Sequence, residues 1–352
     1  MKRKLMELSI RMMLEFFLYT KSYKLFQPKY GGIGHILMLH RVIPTDQIQT
    51  GQRFIPTDME ISTDEFENII TYFMERDYAF VSLDDIYNIL HQNNINKKFI
   101  AITFDDGYVD VYNYAYPILK KRGVPFSINV TTGFPDRSVI IWWYLLEELL
   151  LNYQDLSFEI NGDNYTYHFA NRREKYFAFR EIRDFILDST RESFLEKMER
   201  IFGPLQIDLL NKTQELSLSW DQIREMSRDP LVTIGGHTVN HKPLGKLTME
   251  KIREEIQGAA ARIQEQVGKK VEHFSYPFGR KECGPREFAI VKEMGFKTAV
   301  TTRFTNIFPE HRDRLECLPR IYKIGEIPLE RYLGVITSGA LSAMVYRFNR
   351  IV

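Results

Sequence analysis

Two carboxylates before a glycine, in Thr103-Phe104-Asp105-Asp106-Gly107-Tyr108, and two histidines four residues apart, His237 and His241, have types and spacing that support chemistry. Successive side chains on a strand point to opposite faces, so a strand alone cannot aim both carboxylates at one spot. The turn that Gly107 permits can. Two neighbouring carboxylates resist ionising together unless a cation compensates. The natural division gives one carboxylate to a metal and leaves the other as a base, although Asp-Asp-Gly is also a common loop turn. Histidines at i and i+4 share one face if their segment is helical, and two imidazoles there grip a single divalent ion. With eight histidines in the chain, this spacing is uncommon by chance. A third element, Ser275-Tyr276-Pro277-Phe278-Gly279, reads as a turn after a strand. Its functional reading is a pocket wall with a backbone N–H aimed at a developing oxyanion.

These residues need elements to position them. Gly34 to Val42 is apolar until His40-Arg41 and reads as a buried strand, and Lys98 to Phe104 is a second strand that runs straight into Asp105. Capping signals and helical spacing mark Ser62 to Arg76 and Ser82 to His91 as helices. A further helix runs from about Tyr112 to Arg122 and stops at Gly123, and Val124 to Thr131 is the next strand. Strand, helix, strand in this order implies parallel βα units. From about Ile140 to Leu218 the texture changes to helix formers and aromatics without chemical motifs, which reads as an insertion. Alternation resumes with strands at Val232–Gly235, His273–Tyr276 and Phe296–Thr301 and helices at Met249–Val267 and Pro285–Met294. A barrel of parallel strands gathers the loops after its strands on one face, where sites form.

Together the three motifs resemble those of the polysaccharide deacetylases, carbohydrate esterase family four, over roughly residues 35 to 325. The resemblance implies a distorted (β/α) barrel of that type, with a largely helical insertion at about 140–218, holding one divalent metal. That metal is often Zn²⁺, with Co²⁺, Ni²⁺, Mn²⁺ or Fe²⁺ also suited to two histidines and one aspartate. Carried over by residue, Asp106, His237 and His241 are the metal ligands, Asp105 is the base and the Phe278 backbone N–H belongs to the oxyanion site. Two departures stand out. The third motif usually begins with an arginine that steadies the base, and here the position is Ser275; Arg320, in Leu318-Pro319-Arg320, or Arg280 is the substitute. The usual Leu-x-His near the C-terminus is missing, and His40, in Leu39-His40-Arg41-Val42, becomes the candidate acid. Tyr108, Trp142, Trp143, Tyr276 and Pro277 are read as substrate-binding, with core packing as the alternative for the tryptophans.

The implied function is removal of N-linked acetyl groups from an amino-sugar glycan or a glycan precursor such as a lipid-linked sugar. The alternatives are hydrolysis of another C–N amide, such as a formamido sugar, and a catalytically silent glycan-binding barrel. A formal net charge of +1 on 352 residues supplies no global field for nucleic acid. Two cysteines, Cys283 and Cys317, are too few for a disulfide framework, though they could pair with each other. Through residue 30 the chain carries Lys2, Arg3, Lys4, Arg11, Lys21, Lys24 and Lys29 against Glu7 and Glu15. Leu5, Leu8, Met12, Glu15, Phe16 and Tyr19 trace one helical stripe there. Residues 1–34 thus read as a basic amphipathic segment, packed on the barrel of residues 35–337 or resting on a membrane surface. Residues 338–352, with Met344, Val345, Arg347, Phe348, Arg350 and Ile351, form a similar second segment. No apolar run approaches the ~20 residues that span a bilayer, and no signal-peptide cleavage site follows the charged start. The expected location is the cytoplasm, with its membrane face and export through a weak secretion signal as the alternatives.

Overall fold

The computed structural model describes residues 2–48, 59–92, 96–160, 163–187, 194–203, 208–279, 282–324 and 327–352. Its strands are β1 (Gly34–Leu39), β2 (Arg41–Ile43), β3 (Glu60–Ser62), β4 (Ala79–Phe80), β5 (Phe99–Phe104), β6 (Phe126–Val130), β7 (Asp155–Ile160), β8 (Asp163–His168), β9 (Val232–Gly236), β10 (His273–Ser275) and β11 (Thr298–Val300). The helices begin with α1 (Lys2–Thr20), α2 (Gln27–Tyr30), α3 (Thr63–Glu75), α4 (Leu83–Gln92), α5 (Tyr116–Arg122) and α6 (Trp142–Asn152). They continue with α7 (Arg172–Ile186), α8 (Phe194–Phe202), α9 (Leu209–Leu216), α10 (Trp220–Ser227), α11 (Met249–Val267), α12 (Pro285–Glu293), α13 (Leu329–Thr337) and α14 (Ala340–Val345).

Seven parallel strands make the main sheet, in the order β1-β5-β6-β9-β10-β11, with β4 also paired to β5. Strands β1, β5 and β6 are buried along their whole lengths, as expected where helices cover a parallel sheet. The sheet closes through an irregular segment: Leu318 pairs in parallel with Val300 of β11, and Ile321 with Leu37 of β1. The result is the distorted (β/α) barrel expected from the motifs. Helix boundaries follow the capping residues: Ser62 accepts from the Glu65 N–H at the start of α3, and Gly123 takes a left-handed φ of 64° at the end of α5. The turn before α5 is wide, over Val111–Ala115, with Pro117 one residue into α5. Proline has no N–H to give the preceding turn, which suits a local bulge.

Two features differ from expectation, and the pairing of the two cysteines, left open by the sequence, is decided. The insertion is mostly helical (α6–α9) but also contains the β7–β8 antiparallel hairpin. It has its own apolar core, running from Tyr108 and Phe134 through α6, α7 and α8. Cys283 and Cys317 do not pair; both are buried free thiols, and burial pushes them up to about 12 and about 11. The His237–His241 segment is not a helix: after β9 the chain loops, with Thr238 and His241 at φ 66° and 51°.

Candidate active site

The two carboxylates part company because the backbone turns sharply between them. The Asp105 N–H still follows the strand and donates to the Leu39 carbonyl at 2.9 Å. Asp106 then takes φ 72° and Gly107 φ 89°, and the Gly107 N–H closes back on the Asp105 carbonyl at 2.9 Å. A left-handed non-glycine residue costs roughly 1–2 kcal/mol, so this turn is held by its surroundings. Phe278, at φ 59°, shares the feature, so with Thr238 and His241 four of the left-handed non-glycine residues lie in the site's loops. Such strain clusters where geometry is functional.

Asp105 is fully saturated. Its Oδ1 accepts from Asn129 Nδ2 at 2.8 Å and Arg320 Nη1 at 3.0 Å, and its Oδ2 from Arg320 Nη2 at 2.6 Å and Ser275 Oγ at 3.1 Å. Those four donors fill the lone-pair sites of a carboxylate. Burial pushes the acid up, but Arg320, His237 and His40 outweigh it and hold Asp105 well below the ordinary carboxylate range. Arg320 reaches it because the barrel-closing segment carries Arg320 between Leu318 and Ile321, with its Nε donating to the Thr301 carbonyl at 2.8 Å. The arginine missing from position 275 is thus replaced in space by Arg320, and Ser275 itself becomes a donor. Asn129 owes its room to Gly235, where a Cβ would lie 2.3 Å from the Asn129 oxygen.

Asp106 has the opposite surroundings. Both its oxygens are buried and accept no hydrogen bond. His237 Nε2 and His241 Nε2 stand 3.2 and 3.1 Å from its Oδ1. His237 donates from Nδ1 to the Ser275 carbonyl at 2.8 Å, which leaves Nε2 as the lone-pair nitrogen, the arrangement of a metal-ligating imidazole. The loop that aims His241 is pinned from outside. Glu255 of α11 accepts from the Val239 and Asn240 N–H groups, and Thr238 Oγ1 accepts from the His241 N–H at 3.0 Å. The His241 ring is boxed by Trp143, Phe278 and His237 at centroid distances of 5.1, 5.0 and 5.1 Å. Two ligand atoms bound ~2.0–2.1 Å from a tetrahedral zinc would stand about 3.3 Å apart, and both histidine–Asp106 separations match that distance. Among the described residues, Asp106, His237 and His241 are the one group of histidine, cysteine and acid atoms that converges this way, all within 4.8 Å.

His40, immediately after β1, faces Asp105, Asp106, Arg320 and His237; its Nδ1 is buried without a partner, and burial pulls the imidazole below its ordinary value. Phe278 is half-buried beside His241. The residues read as substrate-binding are placed otherwise. Tyr276 is buried with Phe274 and Phe288, and its hydroxyl donates to the Glu316 carbonyl, so the ring serves the core. Pro277 is buried beside it. Trp142 and Trp143 are buried edge-to-face, and Tyr108 is wholly buried, accepting from Trp143 Nε1 at 2.9 Å. Arg280 lies outside the described residues.

Sequence reading missed several partners. Arg41 donates from Nε to Asp110 and from Nη1 to Glu60 at 3.0 Å, and its guanidinium lies over the rings of Tyr144 and Tyr108. That cluster ties β2, the turn after Asp106 and the first helix of the insertion together. Asn129 was missed too. The signal for both was a polar side chain interrupting an apolar strand.

A family model described as polysaccharide deacetylase matches residues 92–299, more than half of the chain. The poly-beta-1,6-N-acetyl-D-glucosamine N-deacetylase of Staphylococcus aureus is 29% identical over 102 residues. That stretch is 28% of this chain and 35% of that protein, so the match spans about a third of the relative's length. Among solved structures, the Streptococcus pyogenes deacetylase PplD in complex with acetate superposes with a TM-score of 0.56 at 20% identity, covering 86% of this chain and 97% of that one. IcaB from Ammonifex degensii gives 0.54 at 20% identity, covering 87% and 97%. These likenesses establish a shared fold.

Proposed function

Since the chain belongs to the polysaccharide deacetylase family, we propose that it hydrolyses the N-acetyl amide of an amino-sugar glycan or of a lipid-linked glycan precursor, using one divalent metal ion. The observation that carries this reading is the unequal treatment of two adjacent acids. Asp105 is gripped by four donors, while Asp106 is bare and faces two imidazoles.

Asp106, His237 and His241 would hold the ion. When bound, such an ion supplies a Lewis acid for the amide carbonyl and a lowered pKa for attacking water. Asp105 accepts the proton of that water on Oδ2 in place of the Ser275 hydroxyl, the longest of its four contacts at 3.1 Å, while Arg320 and Asn129 keep its carboxylate aimed. The Phe278 backbone N–H stabilises the oxyanion as charge develops. His40 receives that proton from Asp105 and passes it to the departing amine, which cannot leave as an anion. Arg320 in the place of the missing arginine supports turnover over silent glycan binding, because it steadies a base that a binding barrel would not need.

The substrate class follows the relatives that act on N-acetylglucosamine polymers. We place the protein in the cytoplasm at the membrane face. The test is acetate release from N-acetylglucosamine oligomers and lipid-linked N-acetylated sugars, with Zn²⁺ or Co²⁺ added and a chelator control. Metal-dependent release supports the reading; formate release from a formamido sugar, with none of acetate, replaces the acyl group named here.

A further inference from the structure

Helix α1 has two apolar faces, and only one is used. Leu14 and Phe17 are buried, with Ile10, Met13 and Leu18 packed beside them, and this face lies on α13 and the core. Met12, Phe16 and Tyr19, at helical spacing along the opposite stripe, are exposed, Tyr19 to 90%. The stripe read from the sequence as packed on the barrel or resting on a membrane surface thus points outward; the side chains of Leu5 and Leu8 lie outside those described. After Thr20 the chain turns, and Leu25 is 81% exposed.

The other end of the chain arrives at the same place. Helix α14 lies against α2, and the Phe348 ring is 6.0 Å from Tyr30. Met344, Val345 and Phe348 are exposed, the last on two consecutive left-handed residues, Arg347 and Phe348. Seven of the thirteen large exposed apolar side chains among the described residues therefore come from these two short segments. Scattered single exposures are ordinary, whereas a gathered patch marks an interaction surface.

The patch is also charged in one sense. Lys21, Lys24, Lys29 and Arg347 are exposed and form no ion pair with a described residue. Among the described side chains, Glu15 is engaged with Arg331 and Tyr332, and Glu310 with Arg350. We infer that the two chain ends together form a docking surface for an anionic lipid bilayer, with Phe16, Tyr19, Leu25 and Phe348 entering the headgroup boundary and the four cations meeting lipid charge.

Two alternatives fit less well. No described helix is long and apolar enough to cross a membrane, so the contact is with a surface. A second copy docking by a two-fold axis would bring this cationic patch against the same patch of its partner, because such an interface uses the same surface on both partners. An anionic bilayer accepts the apolar stripe and the cations at once. The inference stands apart from the catalytic reading, since its test needs no turnover.

The test is co-sedimentation of the full chain with vesicles of phosphatidylcholine alone or mixed with phosphatidylglycerol, at low and high salt. The chain is expected to bind the anionic vesicles, to bind the neutral ones far less, and to release as salt screens the cations. Each basic residue at an anionic surface is worth about fivefold in partitioning, so Lys21→Glu with Lys24→Glu should lose at least about tenfold. A triple variant, Phe16→Ser, Tyr19→Ser and Phe348→Ser, should lose binding to a similar extent. All five side chains are exposed, and a thermal melt checks the fold; should the triple variant unfold, the charge variant decides. Wild type left in the supernatant of anionic vesicles overturns the inference. So do variants that bind like wild type, or a concentration-dependent dimer that the triple variant breaks.

Discussion

Arg320 grips both carboxylate oxygens of Asp105 from 215 residues further along the chain, at 3.0 and 2.6 Å, with the whole guanidinium buried. The fork geometry of the guanidinium holds the carboxylate in one plane, something a point charge does not do. Arg320→Lys should therefore keep the charge but lower acetate release by about 10²-fold, the scale of a misplaced proton acceptor. Arg320→Met should also destabilise the fold by about 3–5 kcal/mol, because it leaves a buried carboxylate without its partner. Thermal melts and acetate assays check both. An Arg320→Met variant with unchanged melting would show that Asp105 does not depend on this pair.

Asn129 supplies a second brace, and Gly235 makes room for it. A methyl at Gly235 would sit 2.3 Å from the Asn129 oxygen and 3.1 Å from the His273 carbonyl. Gly235→Ala should push the amide off Asp105 and lower acetate release by about tenfold, with a smaller fall for Asn129→Ser. Full activity in Gly235→Ala would mean that the carboxylate stays aimed without Asn129.

Stability should depend on pH through Glu330. Burial and the neighbouring Glu65 raise its carboxyl from 4.5 to about 7. Glu65 is already engaged with Lys323 at 2.9 Å and the Leu329 N–H at 2.7 Å, so a second charge there is unwelcome. A folded-state value above the unfolded one means stability fully present below about 4.5 and lost as pH rises through about 7. Melting temperature should thus fall between about pH 4.5 and about pH 7 and level off above, and Glu330→Gln should flatten that fall. An equally steep fall in Glu330→Gln would assign it to another group.

Much of this was legible in the sequence. The Asp-Asp-Gly turn, the histidine pair and the strand–helix alternation are local patterns, and each lies at a strand's exit as its periodicity implied. The histidine loop was not legible as a loop, because its shape is imposed by Glu255 of α11, sixteen residues from Val239. Arg320 could be named but not chosen, since Leu318–Ile321 makes isolated pairings and has no period of its own. Aromatic residues near a motif look like sugar platforms, yet Tyr108, Trp142 and Trp143 pack in the core of the insertion, as the alternative reading of the tryptophans had it, and Tyr276 packs in a separate core with Phe274 and Phe288.

A further variant separates the metal ligands from the base. His241→Ala should lose bound metal and acetate release together, because Asp106 and His237 alone leave the ion two protein ligands. Metal content by elemental analysis, measured beside activity, checks this; stoichiometric metal in His241→Ala would remove that histidine from the ligand set.

The division of labour between Asp105 and Asp106 is tested most directly by Asp105→Asn, with bound metal and acetate release measured on the same preparation. The expected result is wild-type metal content with release reduced by at least about 10²-fold, since Asp106, His237 and His241 stay in place while the proton acceptor is gone. Loss of the metal would make Asp105 a ligand, and undiminished release would show that it is not the base.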